Sequence, residues 1–516
     1  MRFALAALTA LTLLVHGYHP LAEDGGLYVA GVEHLLHPAL FPHDTAFVTA
    51  LTRFSLFAPL LAGVVRLTHL PLRWALLLTD LGSIALTLFA ARQLLRRCLP
   101  NATAQLGGVA LLAAWWTLPV AATSLMLMDP YVTARSLSTP LSLLTLAYAL
   151  DLITTKSRVA HSSTKSRVAH PSSLYRDEWG TIAACTVCLL LAALLHPLMA
   201  AYAAALVIVL VAVARSTQRL LLWTLFASIA VAAAAVLHAL APHESPAVLA
   251  AAHSRYYWFL SQWHWYELCG LAGPLTVLAL LWRSHLSRAA DVLCQSCIGA
   301  GLIAILIALL FAHDTGTTHL VARLQPLRMF LLLYAVMTLL LGAALTQRAL
   351  QYQRKLMHWL PVAALLILAA VMFLNQRAAF PSTPHVEAPW RASTNNWSRA
   401  FLWARDNTQP DALFALDANY ISAPGEDAQS FRATALRSVL PDFSKDGGEA
   451  SITPSLAVRW QQGVAAQSGL STESDALRAA RLLPLGVTWI LLRSPAPTTH
   501  PCPYDNGTVK ICPLTP

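Results

Sequence analysis

The sequence predicts an all-α polytopic membrane domain followed by a C-terminal extracytoplasmic α/β domain. Hydrophobic residues make up 57% of the 516-residue chain and charged residues only 12%, about half the roughly 25% typical of soluble domains. Apolar runs of the length that crosses a bilayer, about 20 residues, recur along the first three quarters of the chain. These runs are continuous, as in membrane helices, whereas the strands of an outer-membrane barrel alternate in polarity.

Residues 1–375 are predicted to form the membrane domain. Its twelve apolar stretches are centred near Thr9, Leu60, Ile84, Leu118, Leu144, Leu189, Leu206, Ala230, Val277, Ala304, Leu339 and Leu368. We expect the first stretch to be retained, because no small-residue cleavage site follows it. Pro197 is expected to break the helix between the stretches near Leu189 and Leu206. The stretch near Leu60 is short and interrupted, so it is predicted not to cross, which leaves about eleven transmembrane helices. The alternative is that this stretch crosses and that the start of the chain has the opposite orientation.

The basic residues predict the orientation. They gather in the segments 156–176, 214–219, 283–288 and 347–355. These segments fall on alternate connections and are therefore predicted to be cytoplasmic. An outer loop at 18–53, the connections around Asp129, 242–266 and 312–327, and the C-terminal domain then lie outside, in a protein of the bacterial inner (cytoplasmic) membrane. This arrangement accounts for the net charge of +10 without a nucleic-acid partner, and membrane lipid is the expected surrounding.

Residues 376–516 have the composition of a soluble domain. A helical pattern at 396–408 precedes the short apolar run "ALFALD", and "GVTWILLRS" is a later strand, which together predict an α/β fold. Cys502 and Cys512 flank an Asn-Gly turn of hairpin type. In an oxidising compartment they are expected to form a disulfide.

Three carboxylates lie where the chain is predicted to leave the membrane. Glu23 and Asp24 precede a Gly-Gly pair, and Asp129 lies in the loop before Arg135. Asp24 and Asp129 can each be interpreted as a helix cap. Carboxylates beside an arginine can also take a proton from a hydroxyl and hold a phosphate. Glu23, Asp24 and Asp129 are therefore candidate catalytic residues, and Arg135 is a candidate phosphate ligand.

The other two outer connections carry the remaining candidates for substrate binding. The aromatic stretch 255–270 is typical of a membrane-interface belt, but it could also form a platform for an extended ligand. The arginines at 313–328 could bind an anionic lipid head group, or they could simply extend their charged ends to the membrane interface. The candidate ligand-binding residues are Arg255, Trp263, His264, Arg323, Gln325 and Arg328. No HExxH or fixed Cys/His set is present, and a divalent cation (Mg²⁺ or Mn²⁺) on the outer carboxylates is the possible cofactor.

The layout resembles the GT-C superfamily of glycosyltransferases, which use polyprenyl-phosphate sugars. "AEDGG" at 22–26 is similar to the first acidic motif of that family and "MDPY" at 128–131 to the second. "FLWARDNTQPDALFALD" resembles the helix-turn-strand that opens many of the outer domains. Several blocks, among them "YHPLAEDGGLYVAG", "ALFPHD", "RLQPLR", "FRATALRSVLPD" and "CPYDNGTVKIC", also resemble a group of bacterial multi-span proteins without an assigned activity.

The first resemblance implies an inverting hexosyl or pentosyl transfer from a lipid-linked donor to a glycan, lipid or protein acceptor on the periplasmic face. Asp24 would be the general base, and Glu23 and Asp129 would position the acceptor or a metal. Arg135, together with the arginines at 323 and 328, would hold the lipid phosphate. The alternative hypothesis is a non-enzymatic scaffold or transport-like protein with a periplasmic binding domain, in which the acids serve as caps.

Overall fold

The computed structural model describes residues 2–115, 117–162, 171–352 and 355–514. The first part of the chain is helical and runs to residue 379. In the described residues its α-helices are α1 (Arg2–His16), α2 (Glu23–Leu36), α3 (Thr45–Val48), α4 (Phe57–Thr68), α5 (Leu72–Cys98), α6 (Ala102–Ala114), α7 (Ala134–Ser162), α8 (Pro171–Leu195), α9 (Pro197–Arg215), α10 (Arg219–Leu240), α11 (Pro246–His253), α12 (Trp265–Arg283), α13 (Arg288–Phe311), α14 (Leu320–Arg323), α15 (Phe330–Gln351) and α16 (Lys355–Ala379).

Eight helical segments in the described part of the chain are long and apolar enough to cross a membrane. They lie in α5, α7, α9, α10, α12, α13, α15 with its preceding turn, and α16, and four further apolar helices are shorter. The prediction of a multi-pass helical membrane protein is confirmed. The count of eleven stays a prediction, because it requires three of the four shorter helices to cross as well.

The structure contradicts the predicted span near Leu118 and gives the physical reason why the stretch near Leu60 is too short to cross. The stretch centred near Leu118 was predicted as a span, but α6 ends at Ala114 and Leu118 lies in an irregular segment. Pro119 has no N–H and disfavours helical backbone at the residue before it. The stretch near Leu60 forms the 12-residue α4. At 1.5 Å per residue this helix is about 18 Å long, too short for a hydrocarbon core of about 30 Å.

Helix ends follow local sequence signals. α8 stops before His196, and Pro197 opens α9, as the sequence predicts. The His196 side chain accepts a hydrogen bond from the backbone N–H of Met199 at 3.3 Å. The cap satisfies one of the N–H groups that have no partner at a helix start.

Two helices of the membrane domain pack backbone against backbone. A side chain at Gly108 of α6 would overlap the Leu339 carbonyl of α15, and one at Gly342 of α15 would lie 2.8 Å from the Gly107 carbonyl of α6. Small residues allow this close approach, on which helix packing in a membrane depends.

The C-terminal domain is built on a mixed five-stranded sheet with the order β2-β1-β3-β5-β4. Its strands are β1 (Leu413–Ala415), β2 (Ser438–Val439), β3 (Trp489–Arg493), β4 (Tyr504–Asp505) and β5 (Val509–Pro513). β1 pairs in parallel with β2 and β3, whereas β5 is antiparallel to β3 and β4. The helices are α17 (Asn396–Asn407), α18 (Phe431–Ala435), α19 (Lys445–Ile452), α20 (Ala457–Gln467) and α21 (Asp475–Leu482). Cys502 and Cys512 are joined by a disulfide beside β4 and β5.

The C-terminal domain docks on the loop that carries the first acidic pair. Ala22 forms a β-bridge with Gln429, and the Glu23 N–H donates to the Ala428 carbonyl at 2.8 Å. Arg255 and Arg323, from the connections at 242–266 and 312–327, also donate to carbonyls of this domain. The loop 18–53, the connections at 242–266 and 312–327, and the C-terminal domain therefore meet on one side of the helices.

Candidate functional site

The acidic pair lies at the first residues of a helix. α2 begins at Glu23 itself, which has a left-handed backbone (φ 51°), and no side chain caps the helix. Asp24 is therefore inside the first turn, and its interpretation as an N-cap is wrong. Carboxylates in this position are stabilised by the helix dipole. About a third of each carboxylate side chain is exposed, 36% for Glu23 and 37% for Asp24.

The acidic pair shares one cation that belongs to the C-terminal domain. Lys445, the first residue of α19, donates from Nζ to Asp24 Oδ1 at 3.0 Å and also contacts Glu23 Oε2. The Lys445 side chain is only 16% exposed. Because two carboxylates surround it, the pKa of Lys445 is raised above its ordinary range even though burial works in the opposite direction.

Three cations act on the Asp24 carboxylate. Burial alone would raise the pKa of its carboxyl, but the charges of Lys445, Arg135 and Arg328 and the hydrogen bond from Lys445 lower it to about 2. Asp24 is therefore ionised at neutral pH. These three cations come from three different parts of the sequence, and their effect on one carboxylate shows that the fold brings them together.

The second acid forms a buried ion pair. Arg135 Nη2 donates to Asp129 Oδ2 at 2.7 Å, and both side chains are buried. Asp129 is not an N-cap either, because α7 begins at Ala134. Burial raises the pKa of Asp129 and the Arg135 charge opposes that rise, while the negative charge of Asp24 adds to it. Asp24 and Asp129 thus act on each other, but only Asp24 is open to solvent.

Arg328, which lies just before α15, differs from the other predicted arginines in the contacts of its guanidinium. Within the described residues it has no hydrogen-bond or ion-pair partner, and its buried Nε is unsatisfied. The guanidinium carbon lies 5.8 Å from the centre of the Tyr257 ring. Arg328 lines a small cavity with Gln325 and Trp258, whose buried Oε1 and Nε1 atoms also have no partner. Buried polar groups without partners are rare, and here three residues that each carry one line the same cavity.

The other predicted ligand residues are engaged by the protein. Arg255 donates to the Ser444 and Phe443 carbonyls at 2.7 and 3.1 Å, and Arg323 donates to the Ser451 carbonyl at 2.7 Å and to Glu244 at 2.8 Å. These two arginines hold the two ends of α19, so we no longer propose them as ligands of a phosphate.

The predicted aromatic platform is only partly open. Trp263 is buried in the core of the membrane domain, so its ring is unavailable to a ligand there. The backbone N–H of His264 donates to Glu267 at the start of α12, and its ring stacks on Tyr266. Both residues therefore have structural roles at the start of this span.

The divalent cation considered for the outer carboxylates has no evident ligand set. No group of three or more His, Cys, Asp or Glu side chains in the described chain could hold a metal ion. Lys445 and Arg135 bind these carboxylates in its place.

Sequence reasoning missed three residues near the site. Lys445 and Glu449 lie in α19, and the buried Glu449 feels the charge of Asp24, although burial is the main reason that its pKa is raised well above the ordinary range. No sequence signal brings α19 next to a loop more than 400 residues away. Asp80, the third residue, could have been found from the sequence. A carboxylate inside an apolar span is costly and is therefore a functional candidate by default.

The chain was compared with known proteins and with solved structures. No protein-family model matches the chain, and no curated protein matches it. Among solved structures, the fold is similar to the crystal structure of the Archaeoglobus fulgidus oligosaccharyltransferase in its apo form. The identity is 12% and the TM-score 0.46, and the superposition covers 95% of this chain and 69% of that chain.

Proposed function

We propose that this protein is a membrane glycosyltransferase that moves a hexose or pentose from a polyprenyl-phosphate donor to an acceptor on the outer face. The observation that carries the proposal is that two cations, Arg328 and Lys445, act on the Asp24 carboxylate and that a phosphate could bind both of them. Within the described residues Arg328 forms no hydrogen bond or ion pair, and the Lys445 ammonium contacts the two acids that share its single charge. A solvent-accessible carboxylate beside such cations provides both a proton acceptor and a place for a phosphate.

The proposed reaction uses these groups in order. The acceptor oxygen attacks the anomeric carbon of the sugar while the bond from that carbon to the phosphate oxygen breaks, with inversion. The acceptor proton passes to Asp24, and the lipid phosphate leaves as an anion on Arg328. The same phosphate attracts Lys445 away from Asp24. Because Lys445 is the main charge that lowers the Asp24 pKa, its departure makes Asp24 a stronger base.

The donor site can be tested with Arg328→Gln. Purified protein in detergent is titrated with farnesyl phosphate, a short prenyl phosphate, and binding is followed by tryptophan fluorescence. Charged hydrogen bonds contribute about 1.5–3 kcal/mol, so the variant should bind roughly tenfold more weakly or worse. Farnesol, which lacks the phosphate, should bind the wild type and the variant equally.

A matched control is Arg283→Gln, which changes an exposed arginine at the far end of α12. It should leave the affinity for farnesyl phosphate unchanged. Transfer itself is assayed by supplying labelled polyprenyl-phosphate hexoses and pentoses to membranes that contain the protein and measuring release of polyprenyl phosphate. Equal affinity in the wild type and Arg328→Gln, or no release from any donor, contradicts the proposal.

One observation favours the non-enzymatic alternative. Both acids are already paired with Lys445, as they would be if their role were only to anchor the C-terminal domain to the membrane domain. In that case Lys445→Met would release the domain, and no prenyl phosphate would bind at Arg328.

A further inference from the structure

Asp80 is a carboxylate inside an apolar helix. It lies eight residues after the start of α5, about 12 Å along the helix axis at 1.5 Å per residue, and α5 is one of the helices long enough to cross the membrane. The residue is 2% exposed. An ionised carboxylate in such a place needs a partner, because its loss of hydration costs many kcal/mol.

The structure places no such partner on Asp80. No described residue donates a hydrogen bond to its carboxylate or forms an ion pair with it. The charged or titratable groups that face it are Asp129 and Arg135 across a shared cavity and Tyr18 in the loop after α1. The cation is already taken, since Arg135 binds Asp129 at 2.7 Å.

The cavity between these groups is lined by both polar and apolar residues and has the size of one water molecule. Its volume is about 20 Å³, above the ~10–15 Å³ that a water needs. Four residues with hydroxyl groups also line it, Ser83 and Thr87 of α5 and Ser136 and Thr139 of α7, and the rest of the lining is apolar, from Ile84 and residues 126–128. A water in this space would have several hydrogen-bonding partners and could carry a proton between the two carboxylates.

The balance of charge among these groups determines whether the site binds a proton. Two carboxylates and one guanidinium leave one uncompensated negative charge in a low-dielectric region. We propose that Asp80, Asp129 and Arg135 form a buried proton-binding site, in which Arg135 neutralises Asp129 and Asp80 carries one exchangeable proton. A metal cation would restore the balance less well, because Arg135 lines the same cavity and repels it. The inference does not depend on the glycosyltransferase proposal.

The site couples proton binding to the position of Arg135. When an anion draws Arg135 away from Asp129, the cavity loses the cation among its described lining residues, and we expect a second proton to enter. Conversely, removal of either acid leaves one carboxylate and one guanidinium, which need no proton. The number of protonated carboxyls should therefore follow from the charge count in each variant.

Infrared spectroscopy of the full-length protein in lipid nanodiscs measures that number directly. A protonated carboxylic acid has a carbonyl stretching band distinct from that of a carboxylate, and the band shifts in D₂O. At neutral pH, Asp80→Asn should lose the intensity of one protonated carboxyl relative to the wild type. Asp151→Asn, a control at the other end of α7 whose carboxylate is paired with Arg97, should lose none.

Two further variants test the shared cation. Asp129→Asn frees Arg135 to pair with Asp80, so the same band should disappear although Asp80 is intact. Arg135→Gln leaves two acids and no cation, so the band should gain the intensity of one carboxyl. If Arg135→Gln does not fold, Asp80→Asn and Asp129→Asn still test the proposal. An unchanged band in Asp80→Asn, or one that persists in Asp129→Asn, would overturn the proposal.

Discussion

Lys445 donates a hydrogen bond to Asp24 at 3.0 Å across a sequence separation of 421 residues. The contact joins the first turn of α2 to the first residue of α19, so the C-terminal domain supplies the counterion of the candidate base. This link should be measurable as a coupling between the two side chains. The double-mutant cycle of Lys445→Met and Asp24→Asn should give about 1 kcal/mol in thermal or chemical unfolding, the upper end of the range for exposed ion pairs.

Lys445→Arg is the conservative control for this cycle, because it keeps the positive charge beside both acids. It should retain most of the coupling. Additive effects of Lys445→Met and Asp24→Asn would mean that the contact does not stabilise the docked domain.

The same contact predicts how stability depends on pH. The pKa of Asp24 is lowered to about 2 from its ordinary 3.8, so the folded protein binds this proton less readily than the unfolded chain does. The stabilisation is complete above about pH 4 and is lost as the pH falls towards about 2. The difference in unfolding temperature between wild type and Asp24→Asn should therefore shrink across that interval. A constant difference from neutral pH to pH 2 would contradict the lowered pKa.

Asp24 and Asp129 should respond differently to the same substitution. Asp24→Asn removes the proposed base at a partly exposed position, so sugar transfer should be lost while the fold is largely kept. Asp129→Asn should also abolish transfer, but it leaves Arg135 with a weaker partner in a buried site. Breaking a buried pair costs about 3–5 kcal/mol, so this variant should unfold at a clearly lower temperature.

The measurements are release of polyprenyl phosphate from a labelled donor and thermal unfolding of the same preparations. Undiminished sugar transfer by Asp24→Asn would contradict the assignment of Asp24 as the general base. Equal stability of the two variants would show that the Asp129–Arg135 pair does not hold α7 to the loop before it.

Arg255 should control how firmly the C-terminal domain is held. Its guanidinium donates to the Ser444 and Phe443 carbonyls, just before α19. In Arg255→Gln, trypsin should cut the connection between the domains after the exposed Arg391 about tenfold faster, because the lost hydrogen bonds to a charged donor amount to at least about 1.4 kcal/mol of local opening. Arg399→Gln, an exposed change on α17 of the same domain, should not change the cleavage rate.

The sequence by itself was sufficient for the class of fold. Hydropathy over windows of about 20 residues indicated a multi-pass helical protein, because each helix in lipid satisfies its own backbone hydrogen bonds. Pro197 predicted the break between α8 and α9 for an equally local reason. The same local reasoning misplaced the stretch near Leu118, where the effect of Pro119 on the backbone outweighed apolar composition.

Only the tertiary structure decided which polar residues form the site. Asp24 was visible as a candidate from the sequence, but its partner Lys445 comes from α19, and the roles of Arg255 and Arg323 changed once their guanidiniums were found on backbone carbonyls. The physical reason is that hydropathy and helix signals act over a few turns of chain, whereas the state of a charge depends on burial and on neighbours within a few ångströms. Those neighbours are set by how the outer loops and the C-terminal domain pack together.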